Sequence, residues 1–212
     1  MMRRIGWEAV VLGNWNRAIL SPAGIAQHLF RLEPGTPVEV MVPMAGLEPF
    51  KVKYRGTIIS ADWDRLVVST ETPSLTSLIH DMRIAAHAIE ELPKTPLAAA
   101  GFNLKYEIED PPKEFLDLMK CSLDINLSKG QYKIASSGSR RTLEWKDGKI
   151  NLDIVLGDNG DIRILFNFDR RSTKPEELIE WLNTSEDDIK EVMERLCGVL
   201  HIPCSIIQEE SV

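Results

Sequence analysis

Apolar positions along this chain recur with two periods, and the switch between them marks its elements. Both appear in succession between Thr72 and Glu109. Leu75, Leu78, Ile79, Met82, Ala85, Ala86, Ile89 and Leu92 lie three and four apart, which lays one broad apolar stripe along a helix capped by Ser74. Pro93 ends that helix, and Thr95 ahead of Pro96 is pushed toward extended backbone, so a strand is expected from Leu97. Ala98, Ala99, Ala100 and Gly101 carry almost no side-chain bulk and admit close approach of another backbone. Phe102, Leu104, Tyr106 and Ile108 then alternate with Asn103, Lys105, Glu107 and Glu109, giving one apolar and one wet face.

Ahead of this stretch, Trp7 to Leu12 reads as a strand, and Ser21-Pro22 opens a short helix with Ile25 and Leu29 inside. Val38, Val40 and Val42 alternate with polar or longer side chains. After a loop from Pro43 to Pro49, Phe50, Val52 and Tyr54 alternate with Lys51, Lys53 and Arg55. Thr57 to Ser60, an Asp62-Trp63-Asp64 turn and Leu66 to Ser69 complete a meander, so the half reads β-α-β-β-β-α-β.

Pro111-Pro112 is the expected boundary between subdomains 1–110 and 111–212. A helix carrying Phe115, Leu116, Met119 and Leu123 follows it. Leu143 and Trp145 alternate into an Asp147-Gly148 hairpin, Ile150 to Leu156 alternate out, and Gly157-Asp158-Asn159-Gly160 turns the chain into Ile162, Ile164, Phe166 and Phe168. With Tyr132 and Ile134 ahead, these predict a four-stranded meander. Thr173 with Glu176, and Ser185 with Asp188, mark the starts of two final helices. Pro203 ends the second, and Ile202 to Ile207 is expected as a short edge strand. The second half thus reads α-β-β-β-β-α-α. Both halves place a meander before a long amphipathic helix, and the fold class expected is α+β, with two antiparallel sheets each covered on one face by its helix.

A helix leading to a Gly-containing strand such as Leu97 to Tyr106, with a late apolar strand ending in Asp such as Ile164 to Asp169 before the last helices, resembles a sporadically distributed, uncharacterised bacterial family of two-part α+β proteins. The resemblance implies the two-part fold and assigns no catalytic residue.

Composition narrows the function classes. The net charge of −7 over 212 residues, with no basic tail, excludes ordinary nucleic-acid binding as an expectation. No apolar run reaches the length of a membrane span, and no signal-peptide core follows Arg3 and Arg4. Three cysteines suit a reducing cytoplasm better than a disulfide framework.

Candidate chemistry is sparse. Cys197-x3-His201-x2-Cys204, with Cys121 from elsewhere, has zinc-type ligands, but Cys197 also continues an apolar helix stripe and paired Cys-x2-Cys knuckles are absent, so no metal is expected. His80, Arg83, His87 and Glu91 fall along the polar side of the central helix and read most simply as its solvated face. Ser136-Ser137-Gly138-Ser139-Arg140-Arg141 offers hydroxyls and paired arginines to a phosphate, yet without the strand–loop–helix context of a phosphate-binding loop it reads as a hairpin loop. Asp169-Arg170-Arg171 reads as salt-bridging to acidic helices. No nucleophile elbow is present, and neither a catalytic residue nor a cofactor is expected.

The function expected is therefore binding: a cytoplasmic, non-catalytic module that meets a protein partner or a second copy of itself. Trp7, Trp15, Trp63, Trp145 and Trp181 are its candidate anchors or core plugs. The strand face of Lys51, Lys53 and Arg55 is matched in charge by Glu186, Asp187 and Glu191 on the last helices, which suggests a head-to-tail contact. The alternative is a small-molecule or enzyme cavity between the second meander and its helix, lined by Ile154, Phe166, Phe168 and Trp145 with Arg140 or Arg141 at its mouth.

Overall fold

The computed structural model describes residues 2–44, 48–157, 160–204 and 206. The turn expected at Asp158-Asn159 lies outside them, as do Ser205, Ile207 and the tail after it. Alternating strands build one antiparallel sheet of nine strands: β1 (Met2–Gly13), β2 (Glu39–Met41), β3 (Lys51–Tyr54), β4 (Thr57–Ala61), β5 (Arg65–Thr70), β6 (Leu97–Ile108), β7 (Ser137–Trp145), β8 (Gly148–Leu156) and β9 (Ile162–Arg171). Their spatial order is β2-β3-β4-β5-β1-β6-β9-β8-β7.

The expectation of two sheets is corrected here. β1 and β6 pair along their length, from Met2 opposite Ile108 to Gly13 opposite Leu97, and fuse the two meanders. Two separate sheets would leave the edges of these twelve-residue strands unpaired, and fusion satisfies both. On its other side β6 pairs with β9, where Gly101 permits the close approach: a Cβ there would stand 2.0 Å from the Phe168 carbonyl oxygen. The two halves then follow one path, since β5 returns to pair with β1 as β9 returns to pair with β6.

The buried positions of neighbouring strands line up on one face. Trp7, Ala9 and Val11 of β1 join Phe102, Leu104 and Tyr106 of β6 and Phe166 and Phe168 of β9. Six helices accompany the sheet: α1 (Pro22–Gly24), which runs on into a π-helical turn at Ile25–Leu29, α2 (Leu75–Glu91), α3 (Lys113–Met119), α4 (Ser122–Lys129), α5 (Pro175–Leu182) and α6 (Glu186–Val199). α2 packs on β1 and β5, α5 on β6 and β9, and α2 touches α5 and α6, so the covering layer is continuous as well. Ser74 and Ser77 close a capping box at the start of α2. The acidic final helices bury their stripe within this chain, through Leu178, Trp181 and Leu182 of α5 and Ile189, Met193 and Cys197 of α6.

Three further expectations change. Tyr132 and Ile134 precede β7 without forming a strand, and the fourth strand of the second meander is β6. Ser137 to Arg141 are strand, not loop; β7 is an edge whose two faces are largely wet, so it lacks the alternation that betrays its partners. Finally, Ser172 rather than Thr173 meets the first turn of α5, accepting the Lys174 N–H at 3.1 Å.

The opposite face of the sheet carries a row of side chains that cross five strands. Thr142 Oγ1 donates to Asn151 Oδ1 (2.9 Å), Asn151 Nδ2 to Asn167 Oδ1 (2.8 Å), Asn167 Nδ2 to Asn103 Oδ1 (2.7 Å) and Asn103 Nδ2 to Glu8 Oε1 (2.9 Å). Lys105 Nζ closes the row on the same Glu8 oxygen at 2.7 Å. Each amide is used as both donor and acceptor, which holds the join between the halves in register.

Candidate functional site

The helix stripe that faces the sheet leaves the other side of α2 to line a groove of about 1000 Å³, open to solvent. α2 contributes residues from Ser74 to Glu90. The facing walls are Leu29, Phe30 and Arg31 at the π-helical turn, Tyr54, Arg55 and Thr57 at the β3–β4 turn, and Asn183 and Glu186 between α5 and α6.

Two arginines reach the groove through left-handed backbone. Arg55 (φ 47°) and Gly56 (φ 84°) form the two-residue turn joining β3 to β4, a conformation that follows the twist of the flanking strands. The guanidinium of Arg55 comes to rest over the Tyr54 ring, 5.1 Å from its centroid, and Tyr54 packs against Phe30. Arg31 (φ 55°) ends the π-helical turn and lies against His87, with Nη2 2.8 Å from Nδ1. His87 Nε2 stands 3.0 Å from the His28 carbonyl oxygen. Arg31 Nε also points at His87 Nε2, at 3.0 Å, so the guanidinium meets both nitrogens of the ring. Arg83, one turn before His87, completes the set on α2.

Electrostatically these three stand apart from eight others. Arg3, Arg17, Arg65, Arg140, Arg163, Arg170, Arg171 and Arg195 all reach carboxylates at ion-pair distance. Among the described residues, Arg31, Arg55 and Arg83 have no such partner. Of the groove carboxylates, Glu186 holds Lys190 at 2.7 Å, and Glu90 stands 3.5 Å from His87. The local balance is cationic on an acidic protein, with Thr57, Thr70, Ser74 and Ser77 adding hydroxyls.

Of the strand patch read from sequence, only Arg55 joins this groove. Lys51 and Lys53 project to the opposite face of the sheet from buried Val52, and Lys53 is held by Glu39 at 3.3 Å and Glu71 at 2.7 Å. The acidic face proposed to receive the patch is also engaged, Glu191 by Arg195 and Glu186 by Lys190, while Asp187 is exposed. His80, Arg83 and His87 do converge on the groove; Glu91 lies at its end, 3.6 Å from His87 and 4.0 Å from His28.

Arg140, Arg141 and Trp145 are not brought together. Arg140 pairs with Asp153 across the open face, Arg141 donates to the Arg140 carbonyl at 2.8 Å, and Trp145 packs at 5.1 Å from Phe168 and 5.3 Å from Trp181. That aromatic cluster, with Phe102 stacked 4.4 Å from Phe168, fills the space between the second meander and α5 where a cavity was the alternative. Trp7, Trp15 and Trp181 are core; Trp63 is 65% exposed. His201 faces solvent at the end of α6 and Cys121 is exposed, and among the described residues no His, Cys, Asp and Glu side chains cluster as metal ligands.

Sequence reasoning missed Arg31 because nothing in Phe30-Arg31-Leu32 announces a left-handed residue. Its signal was the Pro34-Gly35 stop just beyond. No protein-family model matches the chain, and no curated protein sequence matches it. No helix among the described residues is long and apolar enough to cross a membrane.

Proposed function

We propose that this chain is a non-catalytic binding module whose groove along α2 receives an acidic, extended segment of a partner protein. The observation that carries this reading is the gathering of Arg31, Arg55 and Arg83 on one groove without carboxylate partners. Arg55 and Arg83 offer a donor fork that matches a carboxylate, and Arg31, whose Nε and Nη2 meet His87, adds its positive charge and Nη1, so a carboxylate arriving there gains charge-assisted hydrogen bonds. Length argues for a chain over a compact ligand. The sixteen steps from Ser74 to Glu90 rise about 24 Å at 1.5 Å per residue, which spans roughly seven residues of extended peptide at about 3.3 Å each. Phe30 and Tyr54 offer an apolar seat between the charges. The setting proposed is the cytoplasm, in keeping with the three cysteines.

The test is a length series. Fluorescein-labelled Glu-rich peptides of three, five, seven and nine residues are titrated with the protein and followed by anisotropy, with a sugar phosphate as competitor. Affinity is expected to climb up to about seven residues and then level off. Affinity already maximal at three residues, or full displacement by the sugar phosphate at matched concentration, identifies a small-anion site and overturns the peptide reading.

A further inference from the structure

The last turn of α6 brings two thiols together. Leu200 caps the helix, His201 adopts left-handed backbone (φ 53°), the His201 N–H reaches the Gly198 carbonyl at 3.2 Å and the Ile202 N–H reaches the Cys197 carbonyl at 3.0 Å. This is the paired hydrogen-bond pattern of a helix-ending turn that reverses the chain, here with His201 in the place glycine usually takes. Pro203 prevents the helix from resuming. Ile202 and Ile206 are both buried and pin the returning segment to the core. Between them Cys204 packs against the same core cluster that holds Cys197, and each thiol shifts the titration of the other.

We propose that Cys197 and Cys204 are a redox-active dithiol that closes reversibly to a disulfide on exchange with a small-molecule disulfide, fastening the segment after α6 to that helix. The two sulphurs have unequal roles. Cys204 is only half-buried, and the Cys197 thiol together with the Ile206 N–H stabilises its thiolate, lowering it to about 7, while the interaction with Cys204 and then burial keep Cys197 protonated. Cys204 is thus the sulphur that attacks. Its thiolate bonds to one sulphur of oxidised glutathione and expels a glutathione thiolate, leaving a mixed disulfide. With Cys204 no longer anionic, Cys197 gives up its proton, attacks the Cys204 sulphur and expels the second glutathione thiolate. The protein loses two protons and two electrons, and one oxidised glutathione becomes two reduced.

The experiment uses the full chain with Cys121→Ser to remove the exposed third thiol, incubated with excess oxidised glutathione at pH 7.5 and read by intact mass and peptide mapping. Loss of two hydrogens with no retained glutathione, a linked Cys197–Cys204 peptide, and reversal by dithiothreitol are expected. In the same background Cys197→Ala is expected to retain one glutathione on Cys204, and Cys204→Ser none. Glutathione held on Cys204 with Cys197 still free, or no reaction of a chain whose circular dichroism shows it folded, overturns the proposal.

Discussion

Arg31 Nη2 lies 2.8 Å from Nδ1 of His87 and its Nε 3.0 Å from Nε2, a pair of contacts that ties the π-helical turn to α2 across 56 residues of sequence. The same ring is also held by the His28 carbonyl, so the wall that carries Arg31 is fixed in place rather than free to follow a ligand. His87→Ala removes all of these hydrogen bonds. It is expected to cost about 1 kcal/mol of stability and to weaken peptide binding several-fold, whereas His87→Gln, which keeps a donor and an acceptor, should recover part of each. Urea denaturation and the anisotropy titration read the two effects separately.

Asp81 is a second point of leverage beneath the groove. It is fully buried in α2, neither carboxylate oxygen has a hydrogen-bond partner in the described structure, and desolvation raises it from 3.8 to about 7. The folded chain therefore holds this proton over a range where the unfolded chain releases it. Stability from this group is full below about pH 4, falls as pH rises toward 7 and then levels off, a loss of about 4 kcal/mol at most. Asp81→Asn should remove that slope, as measured by urea midpoints from pH 4 to pH 8. A wild-type stability that rises across the interval by the same amount in both proteins would show that Asp81 does not titrate this way.

Gly148 sits one residue after the hairpin turn for which its sequence suggested it. The turn residues are Lys146 and Asp147, and a Cβ on Gly148 would stand 2.6 Å from both the Asp169 carbonyl oxygen and the Trp181 ring. Gly148→Ala is thus expected to displace Trp181 from the cluster with Trp145 and to destabilise the chain by about 1–3 kcal/mol. Gly35→Ala, with open space at its Cβ and only its φ of 87° against it, should cost less. Thermal melts of the two variants, with tryptophan fluorescence as a second signal, provide the comparison.

These cases show what the sequence made legible. α2 was readable to within a residue because its stripe, its Ser74 cap and Pro93 all agree, and β8 and β9 because one face of each is buried and the other wet. The joining of two meanders into one sheet was not readable. Pairing between β1 and β6 is a backbone event at long range that leaves no local pattern in either strand. Of the groove, His80, Arg83 and His87 could be placed on one helix side from spacing alone. Arg55 was grouped with Lys51 and Lys53, with which it does not share a face, because a left-handed turn residue leaves the face its strand neighbours keep. The amide row from Thr142 to Glu8 was hidden for the same reason as the sheet, since its members come from five separate strands.

That row is also testable. Asn167 both donates to Asn103 and accepts from Asn151, so Asn167→Ala is expected to cost about 1–3 kcal/mol by leaving two half-buried amides short of a partner. Asn167→Asp keeps an acceptor but cannot donate, and should fall between. Peptide affinity should stay unchanged in both, because the row lies on the sheet face away from the groove.

The central claim is that three carboxylate-free arginines define the recognition surface. The direct measurement is the anisotropy titration of an acidic heptapeptide against the wild-type chain, Arg31→Gln/Arg55→Gln/Arg83→Gln, and Glu186→Gln, each shown to be folded by its thermal melt. The account predicts that the triple variant binds at least about tenfold more weakly, and that Glu186→Gln, which removes negative charge from the groove wall, binds more tightly. Equal affinity across all three proteins would contradict it.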